Sequence, residues 1–549
     1  MTDSAAKSAD RYFGYLARCF PVMCASDEFH FLPRAQAAAE YYDRLDNLDS
    51  QVIEKRITKL KAFQDEFSRL TDQVDNFEDR IDIELLQANI SGILIEFEQK
   101  RSWQYNPLLY LKIAFIGLDH ALNKPAASQA ECLDRVMSRL AAIPGLLRQA
   151  TENINSIPQT YHQACRSMLM DCGQYLAQIG NELLAVQAGK TADMLSTQLN
   201  RTAAALKTMG DHLSIVSVEP DGRFAAATLS ETLRNHFLNM RNVADIYLLA
   251  VEDWQKNLDQ LEKLRLKIDP AATWQELYHN YLPFEIDDDD TISLYRQEIG
   301  RLRHFFSQQG FSPADLDRPV EVAETPLYLK SVRGAASFAA AFTADGREKS
   351  YFYITTHLAG SSTDRAGSLL RKRFHREFKM LTAHETIPGH HFLDSIRCRL
   401  KNPVRRQIES PLYYEGWASY AEFLLIDAGY VHSPMDLLVD YKRRLWRSAR
   451  CQVDVGLTTG KIKMLDAIHL LKVCGFSTEE SQRQVDRFRL NPGYQLCYSL
   501  GCHEFKQLKT SCGRKMNGKD FHTFLLEGGE LPFHLIKERF DNYSAPRNV

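Results

Sequence analysis

The chain has 549 residues, which is long enough for two or three average domains or for one large continuous body with additions. With 44% hydrophobic and 25% charged residues, its composition is that of an ordinary water-soluble protein. The 67 lysine and arginine residues nearly balance the 70 aspartate and glutamate residues, which gives a net charge of −3. This balance does not predict a basic surface for nucleic acid or anionic membrane.

No segment approaches the ~20 consecutive apolar residues that span a bilayer. The start of the chain lacks the basic and apolar stretches of an export signal. The eleven cysteines include no C-x-x-C pair, so neither a disulfide framework nor a cysteine zinc site is expected. We therefore expect a soluble, cytoplasmic protein that binds neither nucleic acid nor membrane. The sequence leaves the oligomeric state open.

Residues 10–270 show the apolar spacing of helices along almost their whole length. In the clearest case, steps of three and four predict one helix of about nine turns with a single apolar face. Its apolar residues are Ile53, Ile57, Leu60, Phe63, Phe67, Leu70, Val74, Phe77, Ile81 and Leu85.

The pattern changes after about residue 318. A turn signal at Ala344-Asp345-Gly346 separates two extended runs, roughly 335–343 and 349–356, which predicts a β hairpin. The helical pattern returns from residue 367. We therefore predict a mainly α fold with a small hairpin or sheet. It comprises an N-terminal helical region (1–220), a helical middle region (221–320) and a C-terminal region (321–549) that carries the motifs below.

The stretch "LTAHETIPGHHFLDS" begins like the zinc-hydrolase signature H-E-x-x-H but has Pro388 in the fifth position. In that signature two histidines one helical turn apart bind zinc, and the glutamate takes a proton from the bound water. His384 and Glu385 occupy the first two positions. A regular helix would turn His390 about 120° away and place His391 about 10 Å along the axis, so neither would share a metal with His384.

Pro388 and Gly389 provide a way to interrupt the helix. Proline lacks an N–H group and its ring pushes against the preceding turn, whereas glycine adopts backbone angles closed to other residues. We predict a bulge that brings His390 beside His384 and leaves His391 pointing elsewhere, for instance toward substrate. The alternative is a surface helix with polar residues and a Pro-Gly kink.

A third metal ligand is available in "SPLYYEGWASYAEFLL", because gluzincin-type sites take a glutamate from a second helix downstream. Glu415 lies 25 residues after His390, among aromatic residues that favour burial. A buried carboxylate is costly unless it meets a metal or a cation. Glu422, two turns later on the same face, is a candidate to accept a hydrogen bond from a ligand imidazole. The alternative for Glu415 is a solvated helix carboxylate.

Four ordered blocks, "HETIPGHH", "YEGWASYAE", "RSARCQVDVGL" and "NPGYQLCYSLG", resemble the bacterial family called domain of unknown function 885 over roughly residues 330–510. That family is grouped with zincin-like metallopeptidases. The resemblance implies a large helical, metallopeptidase-like fold of gluzincin type. At its centre it places four residues of this chain, namely His384, Glu385, His390 and Glu415.

This sequence departs from the family pattern in two places. Thr458 stands where a histidine often follows the third block, and "TGKIKM" lacks the tryptophan that usually comes soon after. If these residues shape a specificity pocket, the substrate differs from that of the relatives.

The blocks also indicate residues around the site. Tyr498 is the candidate donor to the negative oxygen that forms during amide hydrolysis, the alternative being a core tyrosine with a satisfied hydroxyl. Arg447 and Arg450 share a helix face with Asp454. The arginines either grip a substrate carboxylate, as a carboxypeptidase or dipeptidase needs, or form an internal Arg–Asp pair.

The predicted function is zinc-dependent hydrolysis of peptide bonds, with one zinc ion per chain and Glu385 as general base. The alternatives are a zinc hydrolase of a small non-peptide amide or ester, and a non-catalytic helical binding protein that retains the fold. The intact Glu385 argues against the binding protein, because a metal-binding scaffold has no use for a general base. The sequence does not choose between a carboxypeptidase, a dipeptidase and an oligopeptidase.

Overall fold

The computed structural model describes residues 3–222, 226–283, 290–342, 347–355, 364–512, 516 and 518–544. This part of the chain is mainly helical with two small sheets, as predicted. It divides into two compact units. Unit 1 comprises Met1–Arg223, Thr325–Gly334 and Asp345–Glu348, and unit 2 comprises Phe224–Glu324, Ala335–Ala344 and Lys349–Val549. The predicted boundary near residue 220 lies at the end of the long segment of unit 1, and the predicted middle region lies in unit 2.

Unit 1 is built from seven described helices and a pair of short parallel strands. The helices are α1 (Asp3–Cys19), α2 (Ser50–Thr71), α3 (Phe77–Leu94), α4 (Pro107–Asn123), α5 (Gln129–Asn153), α6 (Gln159–Ala185) and α7 (Gly189–Ile215). The strands are β1 (Ser156–Pro158) and β2 (Ser217–Glu219). Shorter 3-10 turns cover Met23–Ala25, Gln36–Tyr41, Ser102–Gln104 and Leu327–Leu329, and a π turn covers Ile95–Lys100.

The predicted nine-turn helix is wrong, because the chain breaks between α2 and α3. The side chain of Asn76 accepts a hydrogen bond from the backbone N–H of Glu78 and so caps the start of α3. The apolar spacing continues through the break, so periodicity alone did not reveal it. The apolar face is nevertheless buried, with Phe63 and Phe67 packed edge-on against the ring of Tyr12 at 5.4 and 5.7 Å.

Short segments from the second half of the sequence complete unit 1. Arg333 donates to the half-buried carboxylate of Glu28 at 2.5 Å. The backbone N–H of Ser331 donates to Asp171 at 3.1 Å. Since Glu28 and Asp171 belong to the N-terminal segment, the contacts of unit 1 join distant parts of the sequence.

Unit 2 contains fifteen described helices and a three-stranded sheet. The helices are α8 (Ala226–Glu231), α9 (Val243–Ile268), α10 (Trp274–Asn280), α11 (Thr291–Gln308), α12 (Pro313–Leu316), α13 (Asp364–Glu385), α14 (His390–Arg397), α15 (Pro403–Gln407), α16 (Pro411–Asp427), α17 (Pro434–Thr458), α18 (Met464–Val473), α19 (Thr478–Arg489), α20 (Leu496–Cys512), α21 (Gly518–Glu527) and α22 (Phe533–Ser544). A π turn covers Thr232–His236. The strands are β3 (Val320–Glu324), β4 (Ala336–Ala339) and β5 (Ser350–Ile354).

The sheet has the order β3-β5-β4, with β5 parallel to β3 and antiparallel to β4. The antiparallel pairing of Ala336 with Ile354 confirms the two predicted hairpin strands. The turn predicted at 344–346 lies outside the described residues. Phe352 of β5 is fully buried and packs edge-on against Tyr295 of α11. The sheet thus covers α11, which in turn packs against α13 through Tyr295 and Phe374.

Two glycines let α16 and α20 cross in close contact. A Cβ atom built on Gly416 would lie 2.6 Å from the Cα atom of Gly501. A Cβ atom on Gly501 would lie 2.3 Å from the carbonyl oxygen of Leu412. Because each glycine follows a site residue by at most one turn, the crossing brings Glu415 and Tyr498 together.

None of the helices in the described part of the chain has the length and apolarity needed to cross a membrane.

Candidate metal centre

Three buried side chains converge where α13, α14 and α16 meet. They are His384 near the end of α13, His390 at the start of α14 and Glu415 in α16, with one ligand atom of each within 4.8 Å of the others. Oε2 of Glu415 lies 3.5 Å from Nε2 of His384 and 3.5 Å from Nε2 of His390. The structure therefore brings together the three residues that the sequence predicts as ligands.

A break between helices, rather than the predicted bulge, puts the two histidines side by side. The residues Thr386–Gly389 separate α13 from α14. A Cβ atom on Gly389 would lie 2.0 Å from the carbonyl oxygen of His384 and 2.3 Å from that of Ala383, so only glycine fits there. The break brings the ring centroids of His384 and His390 to 4.9 Å.

His391 faces away from the other two histidines. Its Nε2 lies 2.9 Å from the backbone carbonyl oxygen of Arg318, which makes it a hydrogen-bond donor to the main chain. Burial lowers the pKa of His391 to about 4, so its imidazole is neutral. The predicted substrate contact at His391 has no support in this geometry.

The two oxygens of Glu415 have different environments. Oε1 accepts hydrogen bonds from the hydroxyls of Tyr494 at 2.6 Å and Tyr498 at 2.7 Å. Oε2 is buried and has no hydrogen-bond partner among the described residues. Although burial alone would raise it, the imidazoles of His384 and His390 hold the pKa of Glu415 well below its usual range. Glu415 therefore presents an ionised, unpartnered oxygen to the two imidazoles.

These donors fit a zinc ion. Two imidazole nitrogens and one carboxylate oxygen are a known ligand set of catalytic zinc, which keeps a fourth position open. Ligand atoms about 2.0–2.1 Å from a tetrahedral zinc lie roughly 3.3 Å apart. The two distances of 3.5 Å from Glu415 Oε2 are close to this value. The orphaned oxygen is thus placed where a cation would satisfy it.

Glu422 holds the far side of one ligand. Its Oε1 lies 3.1 Å from Nδ1 of His384, closer than Nη2 of Arg447 at 3.3 Å, and a proton on Nδ1 directed at Glu422 leaves Nε2 free for a metal. Glu422 also accepts hydrogen bonds from Arg443 at 2.7 Å and Arg447 at 2.7 Å. Burial raises the pKa of Glu422, but these two guanidinium groups hold it well below its usual range. Glu422 therefore stays ionised, as its predicted role requires.

The predicted roles of Arg447 and Asp454 need correction. Both Nη atoms of Arg447 donate to Glu422, so this arginine is neither paired with Asp454 nor available to a substrate carboxylate. Asp454 accepts hydrogen bonds from the backbone N–H groups of Gly493 at 2.8 Å and Leu496 at 3.2 Å. It holds the start of α20 in place instead of forming the predicted pair with Arg447. The sequence spacing correctly placed Arg447 and Asp454 on one face of α17, but it did not identify Glu422 of α16 as the partner of Arg447.

Arg450 remains close to the centre. Its guanidinium carbon lies 3.8 Å from the centroid of the Tyr498 ring, and its Nε and Nη2 atoms donate to the side-chain oxygen of Gln495 at 3.0 and 2.5 Å. Tyr498 in turn stacks on His384, with 6.1 Å between the ring centroids. The hydroxyl of Tyr498, predicted to stabilise an oxyanion, donates to Glu415 in this structure.

Glu385 is buried beside the candidate ligand His384. Burial, together with the charge of Glu415, raises the pKa of Glu385 above its usual value, although His384 and His390 oppose the rise. A carboxylate with a raised pKa holds a proton more readily near neutral pH, which suits a general base.

Two residues at this site did not emerge from the sequence. Tyr494 precedes Tyr498 by four residues in "NPGYQLCYSLG", and this spacing was the available signal. Arg443 precedes Arg447 by one helical turn and joins Glu422 to the buried Glu377, at 2.7 and 2.6 Å. Because such pairs join different helices, no local pattern identifies the carboxylate that each arginine meets.

Two solved structures share the fold. One, provisionally described as a lipoprotein of unknown function from Shewanella oneidensis, is 20% identical, with a TM-score of 0.75 over 97% of this chain and 99% of that one. The other, provisionally described as a lipoprotein from Colwellia psychrerythraea, is 16% identical, with a TM-score of 0.74 over 99% of both chains. At these identities the likeness shows the fold alone. Both descriptions contradict the cytoplasmic location predicted from the sequence, which we withdraw.

No curated protein matches this sequence. A family model described as a bacterial protein of unknown function, DUF885, matches residues 33–540. This range contains the ligand cluster and reaches well beyond the four blocks that carried the resemblance. The chain therefore belongs to the DUF885 family.

Proposed function

We propose that this protein is a zinc-dependent hydrolase of peptide bonds, with a gluzincin-type centre formed by His384, His390 and Glu415. The observation that carries the proposal is the state of Oε2 of Glu415, a buried oxygen without a hydrogen-bond partner among the described residues. It faces two imidazole nitrogens at equal distances of 3.5 Å. A purely structural cluster would be expected to satisfy this oxygen with a hydrogen bond.

The bound zinc would supply a Lewis acid that polarises a carbonyl and lowers the pKa of a water molecule. The protein supplies the remaining functions. Glu385 takes the proton of that water and later passes it to the leaving amine. Glu422 keeps His384 in the tautomer with a free Nε2. Tyr494 and Tyr498 fix the rotation of Glu415 through Oε1.

Tyr498 has a second role in the proposal. Since Tyr494 alone can keep a hydrogen bond to Oε1, the hydroxyl of Tyr498 is free to turn toward the substrate oxygen on which negative charge develops. Removing one such donor typically costs roughly 100-fold or more in turnover. A hydroxyl donor, a carboxylate base and an open metal position form the set that amide hydrolysis needs, which is why we propose a peptide bond as the target.

The test combines metal analysis with turnover. Purified protein reconstituted with zinc should contain about one metal ion per chain, and it should cleave members of a mixed peptide library. A chelator should stop cleavage and added zinc should restore it. Metal content near zero after reconstitution would rule out the centre. Full metal content without cleavage of peptides, small amides or esters would indicate a binding protein.

Substitution of the base separates catalysis from metal binding. Glu385→Gln should retain the metal and lower turnover roughly 100-fold or more, because an amide does not accept the proton. Glu252→Gln, at an exposed position of α9, serves as the control and should change neither quantity. Unchanged turnover in metal-loaded Glu385→Gln would remove Glu385 from the mechanism.

A further inference from the structure

Two arginines near the metal centre lack a carboxylate partner in the described part of the chain. They are Arg450 of α17 and Arg487 of α19. Arg450 donates to the neutral side chain of Gln495 and forms no ion pair with a carboxylate among the described residues. Arg487 is half-buried and has no ion pair within the described residues. A guanidinium removed from water is normally paired, so these two residues call for an explanation.

The other arginines of α17 show the contrast. Arg443 and Arg447 both pair with Glu422, and Arg444 pairs with Asp440 at 2.7 Å. The buried carboxylates along this helix are therefore already in use. Arg450 differs from these three arginines in donating to an amide oxygen instead of a carboxylate.

Arg487 lies near two other arginines, and the carboxylate of Glu480 opposes their effect on it. Burial, followed by the charges of Arg450 and Arg373, lowers the pKa of Arg487 to about 10. The carboxylate nearest to Arg373 is Glu377, which it shares with Lys442 at 3.1 Å and with Arg443. A bound anion would relieve the mutual repulsion of these cations.

Arg450 lies close enough to the metal centre to contact a group of a bound substrate. The guanidinium of Arg450 and the ring of His384 both lie on Tyr498, 3.8 and 6.1 Å from the centroid of its ring. They are therefore no more than about 10 Å apart. An extended peptide advances about 3.5 Å per residue, so a group one or two residues beyond the cleaved bond lies roughly 3.5–7 Å along the chain, within this limit. Tyr498 and Arg487 are only half-buried, which leaves the region open to a ligand.

We infer that Arg450 and Arg487 bind a carboxylate of the substrate, so that the preferred substrates carry a negative charge one or two residues after the cleaved bond. This inference rests on the proposed hydrolase function. Guanidinium groups match a carboxylate in shape and charge. The carboxylate is either the free C-terminus of a short peptide or the side chain of an acidic residue, and the test separates these two sources.

The test measures binding in the absence of turnover. Metal-loaded Glu385→Gln is titrated by calorimetry with three probes, namely acetyl-trialanine, its C-terminal amide, and acetyl-Ala-Ala-Asp amide. At least one of the two acidic probes should bind roughly tenfold or more tightly than the neutral amide, as hydrogen bonds between charged groups imply. Tight binding of acetyl-trialanine identifies the free terminus, and tight binding of the aspartate peptide identifies the acidic side chain.

Arginine variants made in the same background decide the role of the two residues. Arg450→Gln and Arg487→Gln should each remove most of the tenfold gap, and Arg487→Lys should restore part of it. Arg483→Gln, at an exposed position one turn earlier on α19, should leave the gap unchanged. Equal binding of all three probes would overturn the inference. A gap that survives in both glutamine variants would also overturn it and would leave Arg450 a structural cation among the rings of Trp446, Phe488 and Tyr498.

Two further readouts keep the result interpretable. Metal content and circular dichroism report whether each variant folds, and if Arg450→Gln does not fold, the half-buried Arg487 decides. Hydrolysis of the three probes by the protein with intact Glu385 tests the proposed function separately. Equal kcat/KM values for all three would overturn the carboxylate preference but not the hydrolase. No hydrolysis of any peptide would refute the hydrolase, while the binding gap would still test the two arginines.

Discussion

At the scale of single residues, the two oxygens of Glu415 determine how the candidate centre can bind a metal. Two tyrosine hydroxyls occupy one of its oxygens, and the other oxygen faces two imidazoles. This division favours binding of a metal through Oε2 alone. On the proposed function, the metal affinity should depend on residues that do not touch the metal.

Replacing Tyr494 tests this dependence. Tyr494→Phe removes one of the two hydrogen bonds to Oε1 and should lower the affinity for zinc roughly 10- to 100-fold, as is typical when a group that orients a ligand is lost. Competition with a chromogenic chelator measures the affinity. Tyr543→Phe, at an exposed position of α22, is the control. Equal affinity in wild type and Tyr494→Phe would show that Glu415 does not need this hydroxyl.

The adjacent histidines should respond differently to substitution. His390→Ala should abolish tight zinc binding, whereas His391→Ala should retain the metal and lower the free energy of unfolding by about 1–3 kcal/mol. The loss of stability follows because the carbonyl of the half-buried Arg318 loses its donor. Metal content and urea unfolding, recorded on both variants, provide the comparison. Retention of zinc by His390→Ala together with its loss from His391→Ala would reverse the ligand assignment.

At the scale of elements, the centre depends on two places where only glycine fits. Gly389 allows the chain between α13 and α14 to fold back on the preceding turn, and Gly501 allows α20 to touch α16. Close contacts of this kind hold the helices, and with them the candidate ligands, in fixed positions. A change at either glycine should therefore alter the metal centre without altering any ligand.

Gly501→Ala places a Cβ atom 2.5 Å from the Cα atom of Gly416 and 2.3 Å from the carbonyl oxygen of Leu412, so the helices must separate. We expect a loss of about 1–3 kcal/mol or more in the free energy of unfolding, together with weaker zinc binding. Gly300→Ala is the matched control, because it lies in α11 with open space around the new Cβ atom. This control should be neutral or slightly stabilising. Similar effects of both variants in urea unfolding would contradict the close crossing.

The sequence predicted the ligand elements better than the contacts around them. Pro388 and Gly389 indicated that the helix could not run straight, and from this the assignment of His390 over His391 followed. The sequence did not predict whether a bulge or a full break interrupts the helix, because both would place His390 beside His384. Arg447 was assigned the correct helix face, but its partner, Glu422, lies on another helix that only tertiary packing brings near.

At the scale of the whole molecule, the metal should stabilise one unit directly. The ligands and the residues that hold them all belong to unit 2. A ligand present at a thousand times its Kd stabilises the folded state by about 4 kcal/mol. This stabilisation reaches only the parts of the chain whose opening disrupts the site.

Hydrogen exchange followed by mass spectrometry should reveal this distribution. Addition of zinc to metal-free protein should slow exchange in α13, α14, α16 and α20. Exchange in α4–α7, which belong to unit 1, should change little. Glu415→Ala, which removes a ligand, should abolish the effect of zinc. Uniform slowing in both units would show that the metal acts on the whole chain.

The three-segment composition of unit 1 has a consequence for protein synthesis. Glu28 is paired with Arg333, which follows it by 305 residues. At the usual rate of translation, of about 5–20 residues per second, this cation leaves the ribosome on the order of tens of seconds after Glu28. The folding of unit 1 is therefore completed late in synthesis, because its last two segments, Thr325–Gly334 and Asp345–Glu348, lie within the sequence of unit 2.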